Sequence, residues 1–587
     1  MIFDEIKCFD MTKQTITGSR ALLRSLVCED VNLIFGYPGG SIMPVYDELH
    51  DYRDKIIHIL TRHEQGAIHA AQGYARVTGR PGVVIATSGP GATNLITGIA
   101  DAKMDSTPLV VITGQVATSG LGSDAFQETD MIDITNPISK WAIQVRSAEE
   151  IPWAVARAFY IASTGRPGPV IIDIPKNAQT GVMQWHDYEK CEYIRSYEPV
   201  PEIDYDKIEL ACQLIDKAER PLMIIGQGVI ISSAEKEVIK LIEKADIPIA
   251  STLLGLSAVP TCHPLNKGMV GMHGNLGVNV STNRADVILA VGMRFDDRAT
   301  ANIETYAKQA KIIHIDIDAS EIGKLVRPTV PIHADARQAL KAIVERVNPA
   351  KHTEWIESFA HIDQTERDMV IDDQLNRSTG STISMGEVVR KVSDATDNSA
   401  VMVTDVGQNQ MFGARYFRFS TTRSCITSGG LGTMGFGIPA AIGTKLAVPD
   451  RQVVVFVGDG GFQMTMQELG TIMENKIPVK IIILNNDFLG NVRQWQEMFF
   501  NNRFSYTPML NPDFVKIASA YGIMAETVSD RSDLDAAIDR MISYDGAYLL
   551  NVCIDSAEKI FPMIPIGGSI DKMLLAPNYM YEIPIFR

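Results

Sequence analysis

Two residues one crossover apart could together hold a phosphate-bound cation. Gly458-Asp459-Gly460 directly follows the apolar run Val453–Val457, and Asn485-Asn486 closes the next such run, Val479–Leu484. Between them lies a helical pattern in Met466, Leu469, Ile472 and Met473. A right-handed strand–helix–strand crossover can set such strands side by side in a sheet, their ends about 5 Å apart. Asp459 and Asn486 would then sit side by side at the edge where open α/β sheets bind ligands. One carboxylate and one amide oxygen, with a backbone carbonyl, suit Mg²⁺ or Ca²⁺, and Mg²⁺ usually completes its octahedron with water and phosphate oxygens. Glycines at 458 and 460 let the backbone approach a diphosphate, and the helix start offers it free N–H groups. Each half alone reads as a plain turn or strand end; the signal is the pair, 27 positions apart on successive strands.

A second candidate is acidic. Arg62-His63-Glu64-Gln65-Gly66-Ala67 opens a helical pattern whose apolar stripe is Ala67, Ile68, Ala71, Tyr74 and Ala75. Glu64 reads either as a surface acid complementing the helix dipole, or as a carboxylate among small apolar neighbours, its pKa raised to suit proton exchange near pH 7. A third group follows the run Val287–Val291: Arg294-Phe-Asp-Asp-Arg298, with Asp316 and Asp318 near the end of Ile312–Ile317. Acids at a parallel strand's end take ribose hydroxyls and arginines take diphosphate; the alternative is a surface ion cluster. Gly430-Leu-Gly432-Thr-Met-Gly435 matches the dinucleotide fingerprint, which requires a firm preceding strand and an acid closing the next strand roughly 20 residues on. Ser424–Ser428 is a poor strand and Asp459 lies 29 residues beyond Gly430, so a nicotinamide site is set aside.

The elements that must position these groups alternate throughout. Val83–Ala86, Leu109–Thr113, Val170–Ile174, Leu222–Ile225, Val401–Thr404 and the runs already named are apolar on consecutive positions, as strands buried on both faces are. The expected fold class is α/β, with three doubly wound parallel-sheet domains at about 12–182, 205–346 and 380–555. Residues 183–206 and the charge-dense 348–381 read as linkers. The segment 556–587, with prolines at 562, 565, 577 and 584, cannot form a long helix and should cover another surface. Val83–Asn94 and Val453–Met464 share a strand, glycine turn and helix start, which makes the outer domains distant repeats or instances of generic βα grammar.

Composition excludes several classes. With 587 residues, 45 % hydrophobic and 21 % charged, the chain is globular and large enough for three or four domains. A net charge of −16 disfavours sequence-independent nucleic-acid binding. Apolar runs end after four or five residues, short of the roughly 18 to 20 that a membrane span needs. Residues 1–11 show no secretory or transit signal, and seven scattered cysteines form no CxxC, which fits a reducing cytosol without disulfides or structural zinc.

From about residue 12 to 580 the chain resembles the catalytic large subunit of acetohydroxyacid synthases, thiamine-diphosphate enzymes whose signature the Asp459–Asn486 pair matches. The stretches are Phe35-Gly-Tyr-Pro-Gly-Gly40, His63-Glu-Gln-Gly-Ala, Thr87-Ser-Gly-Pro-Gly-Ala-Thr-Asn94, Asp124-Ala-Phe-Gln-Glu-Thr-Asp, Gly165-Arg-Pro-Gly-Pro-Val, Gly292-Met-Arg-Phe-Asp-Asp-Arg, Ser428-Gly-Gly-Leu-Gly-Thr-Met-Gly-Phe-Gly and Gln494-Trp-Gln. The resemblance implies that Glu64 hydrogen-bonds N1′ of the aminopyrimidine and that Met434 is the apolar wedge bending the cofactor. It implies that Gln408, Gly432, Met434 and Gly460 contact thiamine diphosphate, with Asp459 and Asn486 on Mg²⁺. Gly40, Gln127 and Lys176 match residues near the reacting centre, Lys176 being equally readable as a surface lysine after a strand. FAD is placed in the middle domain, on residues matching Arg166, His273, Gly274, Arg294, Asp316 and Asp335; Arg294 serves either FAD or the acceptor's carboxylate. FAD has no redox step to perform, so its role is structural.

The implied activity is carboligation in valine, leucine and isoleucine synthesis: pyruvate loses CO₂, and the hydroxyethyl unit joins pyruvate or 2-ketobutyrate. Trp495 implies preference for 2-ketobutyrate. The implied state is a cytoplasmic homodimer with sites at the interface, dimers that can pair into tetramers, and a small regulatory subunit as a potential partner, with no nucleic acid or membrane involved. Pyruvate oxidase, another FAD and thiamine-diphosphate enzyme, is the alternative. Asn491 and Ala117 depart from common family choices, Met or Leu and Pro, beside the implied access path.

Overall fold

The computed structural model describes residues 14–376 and 382–581. Residues 1–11, expected to lack a targeting signal, and the end of the second expected linker at 377–381 lie outside the described residues, as do 582–587. The chain divides into two compact units. One takes the described residues up to Pro199 with Gly430–Ala447 and Thr465–Ile477; the other takes Val200–Gly429, Val448–Met464 and the described residues from Pro478 onward.

The first unit is built on a six-stranded parallel sheet, in the spatial order Ile57–Leu60, Leu33–Gly36, Gly82–Ala86, Leu109–Gln115, Pro169–Pro175, Trp141–Gln144. All seven residues of Leu109–Gln115 are buried, because one apolar cluster around Leu22, Ile112 and Val155 covers one face and another around Ala67, Ile99 and Val111 covers the other. That is why the strands read as unbroken apolar runs. The helix Glu64–Thr78 is started by His63, whose Nδ1 accepts the Gln65 N–H, and stopped by Gly79 at φ 74°. It packs against Gly437–Ala447 closely enough that a Cβ on Gly443 would overlap the carbonyl oxygen of Ala70, so only glycine permits this approach.

The second unit holds two six-stranded parallel sheets. The first orders Asn266–Met269, Ile249–Ser251, Pro221–Ile225, Val287–Val291, Lys311–Asp316, Val330–His333, which in chain order is 3-2-1-4-5-6. This is the strand order of dinucleotide-binding folds, with its switch point between Pro221–Ile225 and Val287–Val291. The second orders Cys425–Ile426, Val401–Thr404, Val453–Gly458, Lys480–Asn485, Tyr548–Cys553, Met524–Val528, or 2-1-3-4-6-5. The sheet of the first unit has the same order, and the similar stretches beginning at Val83 and Val453 both start in its third strand. The outer sheets therefore share a topology as well as a sequence grammar.

Two stretches differ from expectation. Residues 348–381, read as a linker, contain the helix Thr353–Glu366, a π-helical turn Arg367–Ile371 and the helix Asp372–Asn376. Their charge hides a stripe of Trp355, Phe359 and Ile362 at helical spacing, which is buried beside Leu222 and Ile288. Within 183–206, Met183–Trp185 extends a two-stranded ribbon with Gln14–Thr17 before the irregular chain begins. The C-terminal segment forms no helix among the described residues. Phe561, Met563, Ile564, Ile570 and Met573 join the cluster on the dinucleotide-type sheet.

Candidate functional site

In the second unit, Val453–Gly458 lies beside Lys480–Asn485 in parallel register, Gly458 opposite Leu484, so Asp459 and Asn486 leave adjacent strands at the same edge. Both side chains are buried. Asp459 opens the helix Asp459–Thr465; its carboxylate accepts the Gly460 N–H (2.9 Å) and the Asn511 side-chain amide (2.8 Å). Burial raises its pKa, the two donors oppose the rise, and the charge of Asp487 adds to it. The Asn511 amide also lies 3.0 Å from both Asn485 Oδ1 and Asp487 Oδ1, so it ties the two strand ends together.

Asn486 accepts the Phe488 N–H (3.2 Å) and donates to Gln408 Oε1 (3.3 Å); Gln408 in turn donates to Gln494 (3.1 Å) and to the Glu558 carbonyl (3.0 Å). The helix Gly490–Phe499 starts with glycine because any Cβ there would run into Gln408 and Asn486. Among the described residues no group of three or more His, Cys, Asp or Glu is placed to hold a metal. A cation at Asp459 would therefore draw on amide and backbone oxygens and leave positions for phosphate oxygens, a sparse hard-oxygen set that fits Mg²⁺ with a diphosphate.

In the first unit, Glu64 is 8 % exposed, which removes the surface-acid reading. Asn94 donates to Glu64 Oε2 (2.9 Å), while a Cβ on Gly91 would sit 3.2 Å from Oε1. The turn before Glu64 is anchored by Glu468, fully buried, whose carboxylate accepts the Arg62 N–H (3.1 and 3.2 Å) and the Thr471 hydroxyl (2.7 Å). On the other side of the Gly89–Gly91 turn lies Gln127, at φ 62°, its Cβ 2.8 Å from where a Cβ on Gly89 would be. The structure thus brings Glu64 and Gln127 to one turn.

The remaining expected residues are placed as follows. Gly40 is exposed and has open space where a side chain would project. Lys176 is exposed at the start of the short helix Lys176–Thr180, and Arg166 donates to Ser106 Oγ (2.9 Å). Gly432, at φ 69°, and half-buried Met434 lie in a loop pinned by Gly430 N–H to Asp105 (2.7 Å) and Thr433 hydroxyl to Asp101 (3.1 Å). Arg76 pairs with the same Asp105 (2.7 Å). In the second unit, Trp495 is half-buried, packed on the cluster of Phe561 and Met563 with its ring 5.1 Å from that of Phe499.

At the switch point of the middle sheet, Gly228 and Gly292 approach so closely that a Cβ on Gly228 would be 2.6 Å from the Gly292 Cα. Arg294 follows, 3.7 Å from Asp296. Asp316 accepts the Asp318 N–H (2.8 Å) and Asp335 caps the helix Ala336–Arg346. His273 is buried, its Nδ1–H donating to the Pro562 carbonyl (3.2 Å), and burial above all lowers its pKa to about 4. Asn94, Glu468, Gln494 and Asn511 are the partners that sequence reasoning left without roles. Asn94 ends the Thr87–Asn94 motif and Gln494 opens Gln494-Trp-Gln, whereas Asn511 lies in a stretch without period.

Three family models match in order: the N-terminal TPP binding domain of thiamine pyrophosphate enzymes at 16–134, the central domain at 208–343, and the C-terminal TPP binding domain at 405–552. The chain is 44 % identical over 566 residues to the probable acetolactate synthase large subunit of Methanocaldococcus jannaschii, covering 95 % of each chain. It is 42 % identical over 560 residues to the acetolactate synthase isozyme 2 large subunit of Escherichia coli K12, covering 95 % of this chain and 99 % of that one. Against the acetolactate synthase large subunit of Lactococcus lactis the figures are 43 % over 561 residues, 95 % and 96 %. The chain belongs to the acetolactate synthase large-subunit family. Its three parallel sheets are the three thiamine pyrophosphate enzyme domains, and within the family the Gly430–Gly435 run falls in a domain that binds that cofactor. Pyruvate oxidase is not favoured.

Proposed function

We propose that the chain catalyses its family's reaction. Pyruvate is decarboxylated and the two-carbon unit is joined to pyruvate, giving 2-acetolactate, or to 2-ketobutyrate, giving 2-aceto-2-hydroxybutyrate, the precursors of valine, leucine and isoleucine. The observation that carries this is the pairing of Asp459 with Asn486 at one sheet edge within the C-terminal match, together with the burial of Glu64 within the N-terminal match.

Thiamine diphosphate, when bound, supplies the electron sink for decarboxylation. Asp459 and Asn486 would hold Mg²⁺, which would neutralise the diphosphate, and Gln408, Gly432, Met434 and Gly460 would contact the cofactor. Glu64 offers Oε1 to N1′ because Asn94 holds Oε2, and it holds or releases the proton at that nitrogen. Gly40, Gln127 and Lys176 face the reacting ketoacids, and Trp495 receives the acceptor's extra methyl.

FAD occupies the middle sheet in a structural role, on His273, Gly274, Arg294, Asp316, Asp335 and Arg166. The support is the 3-2-1-4-5-6 strand order and the close approach of Gly228 and Gly292 at its switch point. Arg294 serves either FAD or the acceptor carboxylate. The functional form is a cytoplasmic homodimer whose sites need both chains, with tetramers and a small regulatory subunit as further assembly states, the last supported by relatives named as large subunits. No helix among the described residues is long and apolar enough to cross a membrane.

The test is incubation with pyruvate, thiamine diphosphate, Mg²⁺ and FAD, with acetolactate measured colorimetrically. Peroxide and acetate or acetyl phosphate in its place would make the chain an oxidase.

A further inference from the structure

We propose that Arg415 and Glu366 form a buried clamp that positions the His273–Gly274 turn for FAD and ties it to the helix beginning at Gln408. The inference rests on the assignment of FAD to the middle sheet.

Arg415 lies near the end of the helix Gln408–Tyr416. One guanidinium nitrogen donates to the carbonyl oxygens of both His273 (3.0 Å) and Gly274 (2.9 Å), and another pairs with Glu366. Glu366, the last residue of Thr353–Glu366, accepts the Leu276 N–H (2.6 Å) with its second oxygen, and the Asn275 amide reaches the first (3.3 Å). One ion pair, its side chains 1 % and 2 % exposed, thus grips four consecutive residues. The rest of the turn is also bonded: Asn279 donates to and accepts from Gly271, and Gly274 N–H meets the Gly271 carbonyl.

A buried ion pair is weak evidence for stability, because well-packed apolar side chains often do as well or better. Charges supply direction instead. Here two carbonyls are turned toward one guanidinium and one N–H toward a carboxylate, which fixes the three successive peptide planes from His273 to Leu276. The imidazole is held neutral, chiefly by burial, with the Pro562 carbonyl opposing and the Arg415 charge contributing. Since Nδ1–H donates to that carbonyl, Nε2 is left as an acceptor for a donor such as a ribose hydroxyl. Arg415 is also seven residues from Gln408, about 10 Å along one helix at 1.5 Å per residue. The turn is therefore fixed to the element whose first residue accepts the Asn486 amide.

The test uses the full chain and the variants Arg415→Met, Glu366→Gln, Arg415→Lys and the Met/Gln double variant. FAD dissociation constants come from flavin fluorescence, and thermal unfolding is followed without FAD. Arg415→Met is expected to weaken FAD at least tenfold and to lower the unfolding temperature, since it strands a buried carboxylate. The double variant, with no buried charge left, should recover most of that temperature and still bind FAD at least tenfold more weakly. Lysine, a point charge lacking the planar fork, should fall between. Affinity that returns with the unfolding temperature in the double variant would overturn the clamp and leave only a packing role. Failure of the wild type itself to bind FAD would overturn the cofactor assignment and the clamp with it.

Discussion

Asn94→Ala removes the side-chain amide that donates to Glu64 Oε2 at 2.9 Å. Glu64 is nine-tenths buried at the start of its helix, so water cannot readily replace that donor. A hydrogen bond to a charged group is worth about 1.5 to 3 kcal/mol. If that energy serves to aim Oε1 at the aminopyrimidine, losing it should slow carboligation by roughly 10- to 150-fold at 1.36 kcal/mol per decade. Glu64→Gln, which keeps the shape but cannot exchange the proton, should cost roughly 10² to 10⁴. Because Asn94 acts through Glu64, the double variant should be no slower than Glu64→Gln within a factor of about three, a coupling characteristic of residues in one network. The assay is initial-rate acetolactate formation at saturating cofactors, with C2–H exchange of bound thiamine diphosphate followed by NMR. Fully additive losses in the double variant, or a wild-type rate in Asn94→Ala, would refute the argument.

Asp459→Ala should abolish retention of thiamine diphosphate through gel filtration while FAD stays bound, measured as cofactor content; equal loss of both would indicate misfolding. Trp495→Leu should lower the preference for 2-ketobutyrate over pyruvate about tenfold, since one methylene in a pocket is worth about 1 to 3 kcal/mol; a competition assay of the two products reads this. Asp173 is fully buried and, despite donors from Thr113, Gln115 and Gln144, its pKa is pushed up to about 6, chiefly by burial. A carboxyl raised above its unfolded value of about 3.9 stabilises most below that value, and loses on the order of 3 kcal/mol as pH rises through about 6. The difference in unfolding temperature between wild type and Asp173→Asn should shift against the wild type between pH 4 and 7 and be flat above.

Consecutive apolar positions made the parallel sheets legible, and the strand ends that follow them, Gly-Asp-Gly on one and Asn-Asn on the next, located Asp459 and Asn486. What the sequence did not show was which groups hold the functional side chains. Asn511 joins Asp459 to Asn485 across a stretch with no period, and Glu468 reaches Arg62 from 406 residues away. Long-range polar bonds of this kind leave no local pattern. The helix Thr353–Glu366 was missed for another reason, because its polar and charged residues outnumber the three apolar residues that it buries.

The most direct test supplies [2-¹³C]pyruvate with thiamine diphosphate, Mg²⁺ and FAD, and follows the products by ¹³C NMR. Carboligation joins the labelled carbons of two pyruvates, so acetolactate should show two adjacent labelled carbons with one-bond coupling, and the signal should vanish in Glu64→Gln and Asp459→Ala. Consumption of pyruvate giving only singly labelled acetaldehyde or acetate would contradict the account.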